Sequence, residues 1–307
     1  MTLQQAPTAV LMIRPHRFTA NPETAADNSF QTCSGSVTGE EAITALGEFD
    51  QTVNVLEAKG ITVHVFDDHG DRNTPDSVFP NNWFSTHTGG HIAVYPMFTA
   101  NRRLERRWDI VEFLKREYRV QDVIDYSGLE EDNLSLEGTG AMVLDHIERV
   151  AYTAQSNRAD PVILERFCTN FNFEPMVFQS ENRDGAAVYH TNVIMAIATN
   201  YALICSSMIV DPDRRKAVLA RLEESGRDVI DLSEDQIDAF AGNAMELTAG
   251  STRYLAMSSK GVDSLTGDQK TRIEARAALL PISIPTIETA GGSVRCMMAG
   301  IHLSKRR

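Results

Sequence analysis

The chain has little cysteine: four residues in 307, at Cys33, Cys168, Cys205 and Cys296. No two of them form a Cys-x-x-Cys pair, which excludes the usual zinc-ribbon and thiol-redox motifs. Scattered thiols in a chain of this length are typical of a reducing compartment. We therefore expect no disulfide framework, so Cys296 is considered below as a candidate nucleophile or as a residue that fills the core.

Long apolar runs and excess positive charge are also missing. No uninterrupted apolar stretch approaches the ~20 residues of a spanning helix, and the N-terminal "MTLQQAPTAVLMIRP" lacks the basic start of a signal sequence. The formal net charge is −13 with a pI of about 5.1, whereas non-specific nucleic-acid binding needs a basic surface. We expect a cytoplasmic protein that binds neither membranes nor nucleic acid.

Cofactor signatures are missing as well. No His-x-x-x-His pair indicates a metal site, and no P-loop is present. A dinucleotide fold needs Gly-x-Gly-x-x-Gly after a strand, and "LEGTGAM" lacks the third glycine. We expect no metal and no cofactor, and the missing fingerprint argues against a doubly wound parallel sheet.

What the chain does contain is repetition. No Pro/Gly/Ser-rich linker divides it, so residues 1–307 are expected to form a single domain. Five units of about 55–60 residues each have the pattern of a hairpin, a helix and a strand, and this period indicates radial repetition. The last stretch, "SVRCMMAGIHL", is expected to pair with the first strand, "TAVLMIRP". The predicted fold is an α/β propeller of five blades around a channel.

Four polar stretches fall where a unit begins its hairpin: "VFPNNWFS", "LSLEGTGAMVLD", "YHTNVIM" and "GGSVRCMM". They place Asn82, Glu137, His190 with Asn192, and Cys296 at equivalent points, so the side chains should converge at one end of the channel. A cysteine nucleophile needs a base, a group to orient the base and donors for developing charge. Singly, each residue has a structural explanation, such as a core-filling thiol or a turn asparagine.

Taken in order, these motifs resemble the guanidino-group modifying superfamily, which includes arginine and agmatine deiminases, dimethylarginine hydrolases and amidinotransferases. The similarity covers nearly the whole chain and is greatest to the citrulline-utilisation hydrolase branch, through "TPDSVFPNNWFSTH", "YPMFTANRRLERR", "FAGNAMEL" and the stretches above. It implies the five-bladed pentein fold. It also implies that Cys296 is the nucleophile and His190 the general acid/base, and that Glu137 is the acid that orients the histidine or holds a substrate nitrogen.

Two positions depart from the deiminase pattern. Where deiminases place aspartates that grip a cationic guanidinium, this chain has Asn82 and Asn192. A carboxylate complements a guanidinium, whereas an amide, with one acceptor and two donors, complements a neutral ureido group. The predicted activity is therefore hydrolysis of citrulline to ornithine, carbon dioxide and ammonia through a thiocarbamoyl intermediate.

Several alternatives stay open. The chain could be an arginine or agmatine deiminase, a dimethylarginine hydrolase or an amidinotransferase, and some relatives of this fold bind ribosomes without catalysis. For the amino-acid substrate, Arg102 and Arg103 are candidate carboxylate partners, and Asn243 is a candidate channel-lining residue. The long loop at 17–39 is expected to be a mobile lid, and a homodimer is possible.

Overall fold

A computed structural model describes residues 3–32 and 39–306. In these ranges, five three-stranded sheets contain fifteen strands. The strands are β1 (Ala9–Pro15), β2 (Thr62–Asp68), β3 (Phe84–His87), β4 (His91–Val94), β5 (Asp122–Asp125), β6 (Met142–Asp145), β7 (Val150–Ala154), β8 (Glu174–Phe178), β9 (Met195–Ile197), β10 (Tyr201–Ile204), β11 (Asp228–Asp231), β12 (Met245–Ala249), β13 (Thr252–Ser258), β14 (Ala278–Ile282) and β15 (Ala299–Gly300).

Helices connect and precede these strands. The α-helices are α1 (Gly39–Ala58), α2 (Trp108–Glu117), α3 (Gly138–Ala141), α4 (Pro161–Phe171), α5 (Thr191–Ile194), α6 (Pro212–Glu224), α7 (Glu234–Asp238), α8 (Ser259–Ser264), α9 (Gly267–Glu274) and α10 (Pro285–Glu288). Short 3-10 helices cover Pro80–Asn82, Asn101–Glu105, Ser127–Asp132 and Ser206–Met208. Local sequence explains several helix starts, because Asp160 and Asp211 cap α4 and α6 just before a proline.

All five sheets share one topology. An inner strand (β15, β3, β6, β9 or β12) pairs antiparallel with a middle strand, and the middle strand pairs parallel with an outer one. Parallel neighbours need a crossover connection, which α1, α2, α4, α6 and the pair α8–α9 supply. Inner strands of neighbouring sheets contact one another, as in β6 with β9 and β9 with β12.

The ring is closed by the two ends of the chain. Leu11 of β1 pairs with Ala299 of β15, and Val10 pairs with Gly300. The sheet that contains both ends meets the last sheet through α1 and α10, and the Thr248 N–H donates to the Pro7 carbonyl. The predicted propeller of five hairpin–helix–strand units is confirmed, including the pairing of the last segment with the first strand.

Local structure differs from the sequence pattern at three places. The pattern of "YHTNVIM" predicts His190 and Asn192 on one face of a strand, but the chain turns into α5 immediately after His190. The pattern of "SVRCMM" predicts that Cys296 starts the last strand, but it lies in a turn, three residues before β15. The spacing of "NRRLERRWDIVEFLKREY" predicts one helix, but Arg106 and Arg107 are extended and α2 begins only at Trp108.

Candidate active site

A helical turn precedes each inner strand at the same end of the ring. The turns are Pro80–Asn82 before β3, α3 before β6, α5 before β9, residues 241–243 before β12 and residues 294–297 before β15. Glu137 and His190 are the residues at which α3 and α5 begin. This equivalence explains why residues far apart in sequence converge, since each unit contributes its turn to one site.

The sulfur of Cys296 is held by two amides. Asn192 Nδ2 donates to Cys296 Sγ over 3.3 Å, and Asn243 Nδ2 donates over 3.2 Å. The cysteine is 2% exposed, and no carboxylate hydrogen-bonds to its sulfur within the described ranges. The sulfur thus accepts hydrogen bonds from two neutral amide groups.

Asn243 also positions the backbone around the thiol. Its Oδ1 accepts from the N–H groups of Arg295 (3.0 Å) and Cys296 (3.4 Å), and its Nδ2 donates to the Asn192 carbonyl (3.0 Å). One amide therefore connects the turns before β9, β12 and β15. Asn243 was predicted to line the channel, and in the structure it also binds the backbone and the sulfur of Cys296, the candidate nucleophile.

The histidine is paired with a fully buried acid. His190 Nε2 lies 2.8 Å from Glu137 Oε2. Burial lowers the pKa of His190 to about 4, although Glu137 opposes this shift. Burial by itself would raise the pKa of Glu137, but Arg158, the His190 hydrogen bond and Arg102 outweigh it and hold that pKa well below the usual range. The pair is thus a neutral imidazole beside a carboxylate, ready to accept a proton.

A glycine allows the asparagine and the histidine to approach each other. A Cβ at Gly140 of α3 would lie 2.8 Å from His190 Nδ1 and would also collide with the side chain of Asn82. The "EGTGA" motif therefore has a steric reason, since only glycine leaves room for both side chains over the first turn.

Two buried arginines surround the carboxylate of Glu137. Arg102 Nη1 and Arg158 Nη1 each lie 3.4 Å from Glu137 Oε2, and both residues are 2% exposed or less. With its amide oxygen turned to these donors, Asn82 Oδ1 accepts from Arg102 Nη1 at 3.1 Å and from Nη2 at 2.9 Å. The site thus contains two cations whose charge exceeds that of Glu137.

Two further carboxylates face Arg102. Glu105 binds it in a bidentate pair at 2.9 and 3.0 Å, and burial raises the pKa of Glu105 to about 7 against the effect of Arg102. Asp76 Oδ2 lies 3.6 Å from Arg102 Nε, and burial raises the pKa of Asp76. Asp76 Oδ1 is buried without a hydrogen-bond partner in the described part of the chain, so it can accept from a ligand.

The described part of the predicted lid, residues 17–32, contacts this site. Asp27 binds Arg158 in a bidentate pair at 3.1 and 2.5 Å. Asn21 Nδ2 donates to Asp76 Oδ2 at 2.7 Å, and Asn28 Nδ2 donates to the Ala290 carbonyl at 3.4 Å. Residues 33–38 lie outside the described residues. The loop is therefore placed to cover the site, and its mobility stays a prediction.

Comparison with known proteins decides the family. The sequence model described as N,N dimethylarginine dimethylhydrolase, eukaryotic, matches residues 14–303. The chain belongs to this family. It thereby falls within the guanidino-group modifying superfamily, whose members have the pentein fold. A search of curated proteins finds no match.

Solved structures of this family's fold superpose on the chain. The N-terminal domain of ArgZ, an arginine dihydrolase from the ornithine-ammonia cycle in cyanobacteria, aligns with a TM-score of 0.74 at 15% identity, covering 95% of this chain and 97% of that domain. Unliganded AgrE aligns at 0.75 and 16%, covering 97% of this chain and 40% of AgrE. A dimethylarginine dimethylaminohydrolase adduct aligns at 0.64 and 13%, covering 98% and 100%.

Most of the predicted site residues of this family member lie together. Cys296, Asn192 and Asn243 are connected by hydrogen bonds, and His190, Glu137, Arg102 and Asn82 form a second connected group. Arg103 is not brought in, because its guanidinium binds the carbonyls of Met97 and Phe98. Its predicted role in binding the substrate carboxylate is not supported by this position.

The structure adds residues that the motifs did not single out. Arg158, Asp76 and Asp27 all contact the site. Asp76 stands within the quoted "TPDSVF" motif and could have been found there, whereas Arg158 follows a hairpin in a polar stretch with no distinctive pattern. Within residues 3–32 and 39–306, no helix is long and apolar enough to span a membrane, and no group of three or more histidine, cysteine or acidic residues is arranged for a metal.

Proposed function

We propose that this chain is a cysteine hydrolase that cleaves the ureido group of citrulline, releasing ornithine, carbon dioxide and ammonia. The proposal depends on one observation: two neutral amides, and no carboxylate of the described residues, hydrogen-bond to the sulfur of Cys296. Asn192 and Asn243 donate to this sulfur, and Asn82 and His190 both lie beside Gly140. The enzyme is a hydrolase of the guanidino-modifying superfamily. The amides are the basis for our proposal of its substrate.

A neutral ureido group suits these amides better than a guanidinium does. A guanidinium carries only donors and a positive charge, so it binds best to carboxylates. A ureido group has one carbonyl acceptor as well as N–H donors. Asn192 Oδ1 is buried without a partner in the described residues and can accept a ureido N–H. Glu137, which contacts His190, is already neutralised by Arg102 and Arg158.

The amino-acid end of the substrate finds complementary charges. Arg102 and Arg158 offer guanidinium donors for an α-carboxylate, since planar guanidinium groups bind carboxylates in pairs of hydrogen bonds. Asp76 Oδ1, without a protein partner, offers an acceptor for the α-ammonium group. Arg158 forms an ion pair with Asp27 in this structure. The α-carboxylate of the substrate would therefore replace the Asp27 carboxylate at Arg158.

The reaction then follows in two steps. His190 accepts the thiol proton of Cys296, the resulting thiolate attacks the ureido carbon, and amide donors stabilise the oxyanion. His190 then passes this proton to the departing δ-nitrogen, ornithine leaves, and an S-carbamoyl cysteine is formed. A water molecule, deprotonated by His190 with Glu137 as its partner, attacks the carbamoyl carbon. The thiolate departs, and the released carbamate decays to carbon dioxide and ammonia.

Hydrolysis of a guanidino substrate is the second candidate. The family match to dimethylarginine dimethylhydrolase favours a methylated arginine as the substrate. One structure with a similar fold is that of an arginine dihydrolase. Here the same nucleophile would attack a guanidinium carbon and first release an amine or ammonia. Without a carboxylate beside Cys296 Sγ, the cationic group would lose its best partner.

A product assay distinguishes these activities. The purified protein is incubated separately with citrulline, arginine and dimethylarginine, and ornithine, citrulline, ammonia and dimethylamine are quantified. Ornithine and ammonia from citrulline in equal amounts, with no turnover of the guanidino compounds, are expected. Dimethylamine from dimethylarginine, or ornithine from arginine at a higher kcat/KM than from citrulline, would contradict the proposal.

Substitution of the nucleophile tests the mechanism. Cys296→Ala is expected to abolish turnover, and brief acid quench of the wild type with citrulline should trap a carbamoyl adduct at Cys296 by mass spectrometry. Cys205→Ala is the matched control, because that thiol is buried outside the site. Full turnover by Cys296→Ala would end the proposed mechanism. A homodimer and a cytoplasmic location are further proposals, open to sedimentation and cell fractionation.

A further inference from the structure

The centre of the ring contains two small adjoining cavities that the proposed reaction does not use. Their volumes are about 40 and 20 Å³. All five inner strands contribute to their walls, which places them in the channel. Both cavities share the side chains of Thr139, His146, Met245, Arg295 and His302.

Arg295 brings a positive charge into this channel. Arg295 immediately precedes Cys296 in the sequence. Its guanidinium makes one side-chain hydrogen bond among the described residues, from Nη1 to the Met298 carbonyl at 3.0 Å. No carboxylate forms an ion pair with it in the described part of the chain. Burial lowers the pKa of Arg295 to about 10, so it stays a cation at neutral pH. A buried charge without a counter-charge is unfavourable.

The acidic residue nearest to this channel is engaged elsewhere. Glu246 lines the larger cavity, but its Oε2 accepts from the Thr199 N–H and hydroxyl at 2.7 and 2.5 Å. Its Oε1 lies 3.9 Å from Arg253 Nε and has no hydrogen-bond partner among the described residues. Glu246 lines the same cavity as Arg295 but forms no ion pair with it within the described residues.

Two stacked histidines complete the wall. The rings of His146 and His302 lie 3.8 Å apart at 23°. Burial lowers the pKa of His302 to about 4 and that of His146 well below its usual range, so both imidazoles are neutral. His302 hydrogen-bonds to the Gln4 backbone, which uses the one N–H of its neutral ring. His146 is 7% exposed, and its Nδ1 has no hydrogen-bond partner among the described residues.

We propose that Arg295 and His146 bind a small monovalent anion, of the size of chloride or bicarbonate, in the central channel beside His302. The guanidinium supplies the charge, and His146 can supply an N–H at Nδ1, which has no partner among the described residues. The Thr139 hydroxyl is engaged, because it donates to the Asn81 carbonyl at 3.1 Å. The larger cavity is sufficient for such an ion, because about 10–15 Å³ of this kind of space holds one water molecule. The site is independent of the citrulline proposal.

The anion would also influence the nucleophile. Arg295 and Cys296 are neighbours in sequence, and the charge of Arg295 interacts with the Cys296 sulfur. A bound anion takes up part of this positive charge and leaves less of it to stabilise a thiolate. Alkylation of Cys296 should therefore slow when the site fills, in an anion-dependent manner.

Diffraction is the direct test. Crystals of the wild-type protein are soaked in sodium bromide, and anomalous data are collected at the bromine edge. A peak within hydrogen-bond distance of the Arg295 guanidinium and the His146 imidazole is expected. Peaks restricted to the molecular surface, or no peak, would overturn the proposal.

Solution measurements separate chloride from bicarbonate. Thermal unfolding and iodoacetamide alkylation of Cys296 are followed in sodium chloride, in sodium bicarbonate and in sodium gluconate at equal pH and ionic strength. At ten times Kd, a midpoint rise of about 2–3 °C is expected, with alkylation slowed several-fold. Arg295→Met should lose both responses, whereas Arg116→Met, at an exposed helix position, should keep them. Equal behaviour of the wild type in all three salts refutes the site.

Discussion

Replacing Asn192 by Asp tests the idea that neutral amides select a neutral substrate. The substitution keeps the side-chain shape but places a carboxylate oxygen where Nδ2 now donates to Cys296 Sγ over 3.3 Å. Two negative charges at that distance repel by about 5 kcal/mol at an effective dielectric constant of about 20. Since about 1.4 kcal/mol is a factor of ten, kcat/KM for citrulline should fall by about 10³-fold or more.

The control for Asn192→Asp is Asn192→Leu, which removes the same hydrogen bond without adding charge. Loss of the bond costs about 1–3 kcal/mol, so a decrease of about 10–100-fold is expected. Steady-state assays and the rate of iodoacetamide alkylation at pH 7.5 should both follow this order. For a guanidino substrate, the aspartate should improve kcat/KM relative to citrulline, because it supplies a carboxylate partner.

Two results would refute this argument. If Asn192→Asp keeps more than a tenth of the citrulline activity, the charge beside the sulfur does not matter. If Asn192→Leu and Asn192→Asp lose activity equally, the effect comes from packing or from the lost hydrogen bond. Thermal unfolding of both variants shows whether either change simply destabilises the fold.

Three further predictions concern the loop, the glycine and the buried histidines. Asp27→Asn removes the carboxylate that forms an ion pair with Arg158. The KM for citrulline should therefore fall several-fold, with kcat unchanged. A raised KM would contradict this and show that Asp27 holds the loop closed over the substrate. Gly140→Ala should lower kcat by at least about 10²-fold, because the new Cβ would displace His190 or Asn82. Gly47→Ala is the control and should leave kcat unchanged, because a Cβ there meets no atom within 4 Å. Equal kcat values for the two variants would contradict the steric argument. Histidines with a lowered pKa stay neutral in the folded chain at a pH where those of the unfolded chain are protonated. The free energy of unfolding in urea should therefore fall between pH 7.5 and 5.5 by about 1 kcal/mol per buried histidine. An unfolding midpoint that does not change with pH would contradict the view that these histidines are buried in the neutral form. These histidines are His87, His146, His190 and His302.

The repeat was predictable because its signals are local. Helix starts such as Asp-Pro at 160–161 and 211–212, and turns such as Gly89-Gly90, which both have positive φ, are set by a few neighbouring residues. With five such units in series, a closed ring is one of few arrangements in which every inner strand packs against neighbouring units. The equivalence of unit starts also indicated correctly that Cys296, His190 and Glu137 come from matching turns.

The local conformation at these starts was less predictable. "YHTNVIM" and "SVRCMM" alternate or run apolar like strands, yet α5 and the turn at Cys296 are helical. Tertiary contacts override the pattern there: Asn243 binds the backbone of Arg295 and Cys296. Likewise, Arg102 and Arg103 are neighbours of the same type, and only burial against Glu105 and Glu137 distinguishes them.

Residue types and their order along the chain already identified the fold and the superfamily, and they singled out Cys296, His190 and Glu137 as candidates for catalysis, since backbone signals and reactive side chains are properties of short segments. Protonation and pairing required the folded molecule. A neutral His190, an ionised Glu137 and the partly free Asp76 follow from desolvation and from charges contributed by distant segments. Electrostatic interactions depend on distance and burial in space, and these are set only when the ring closes.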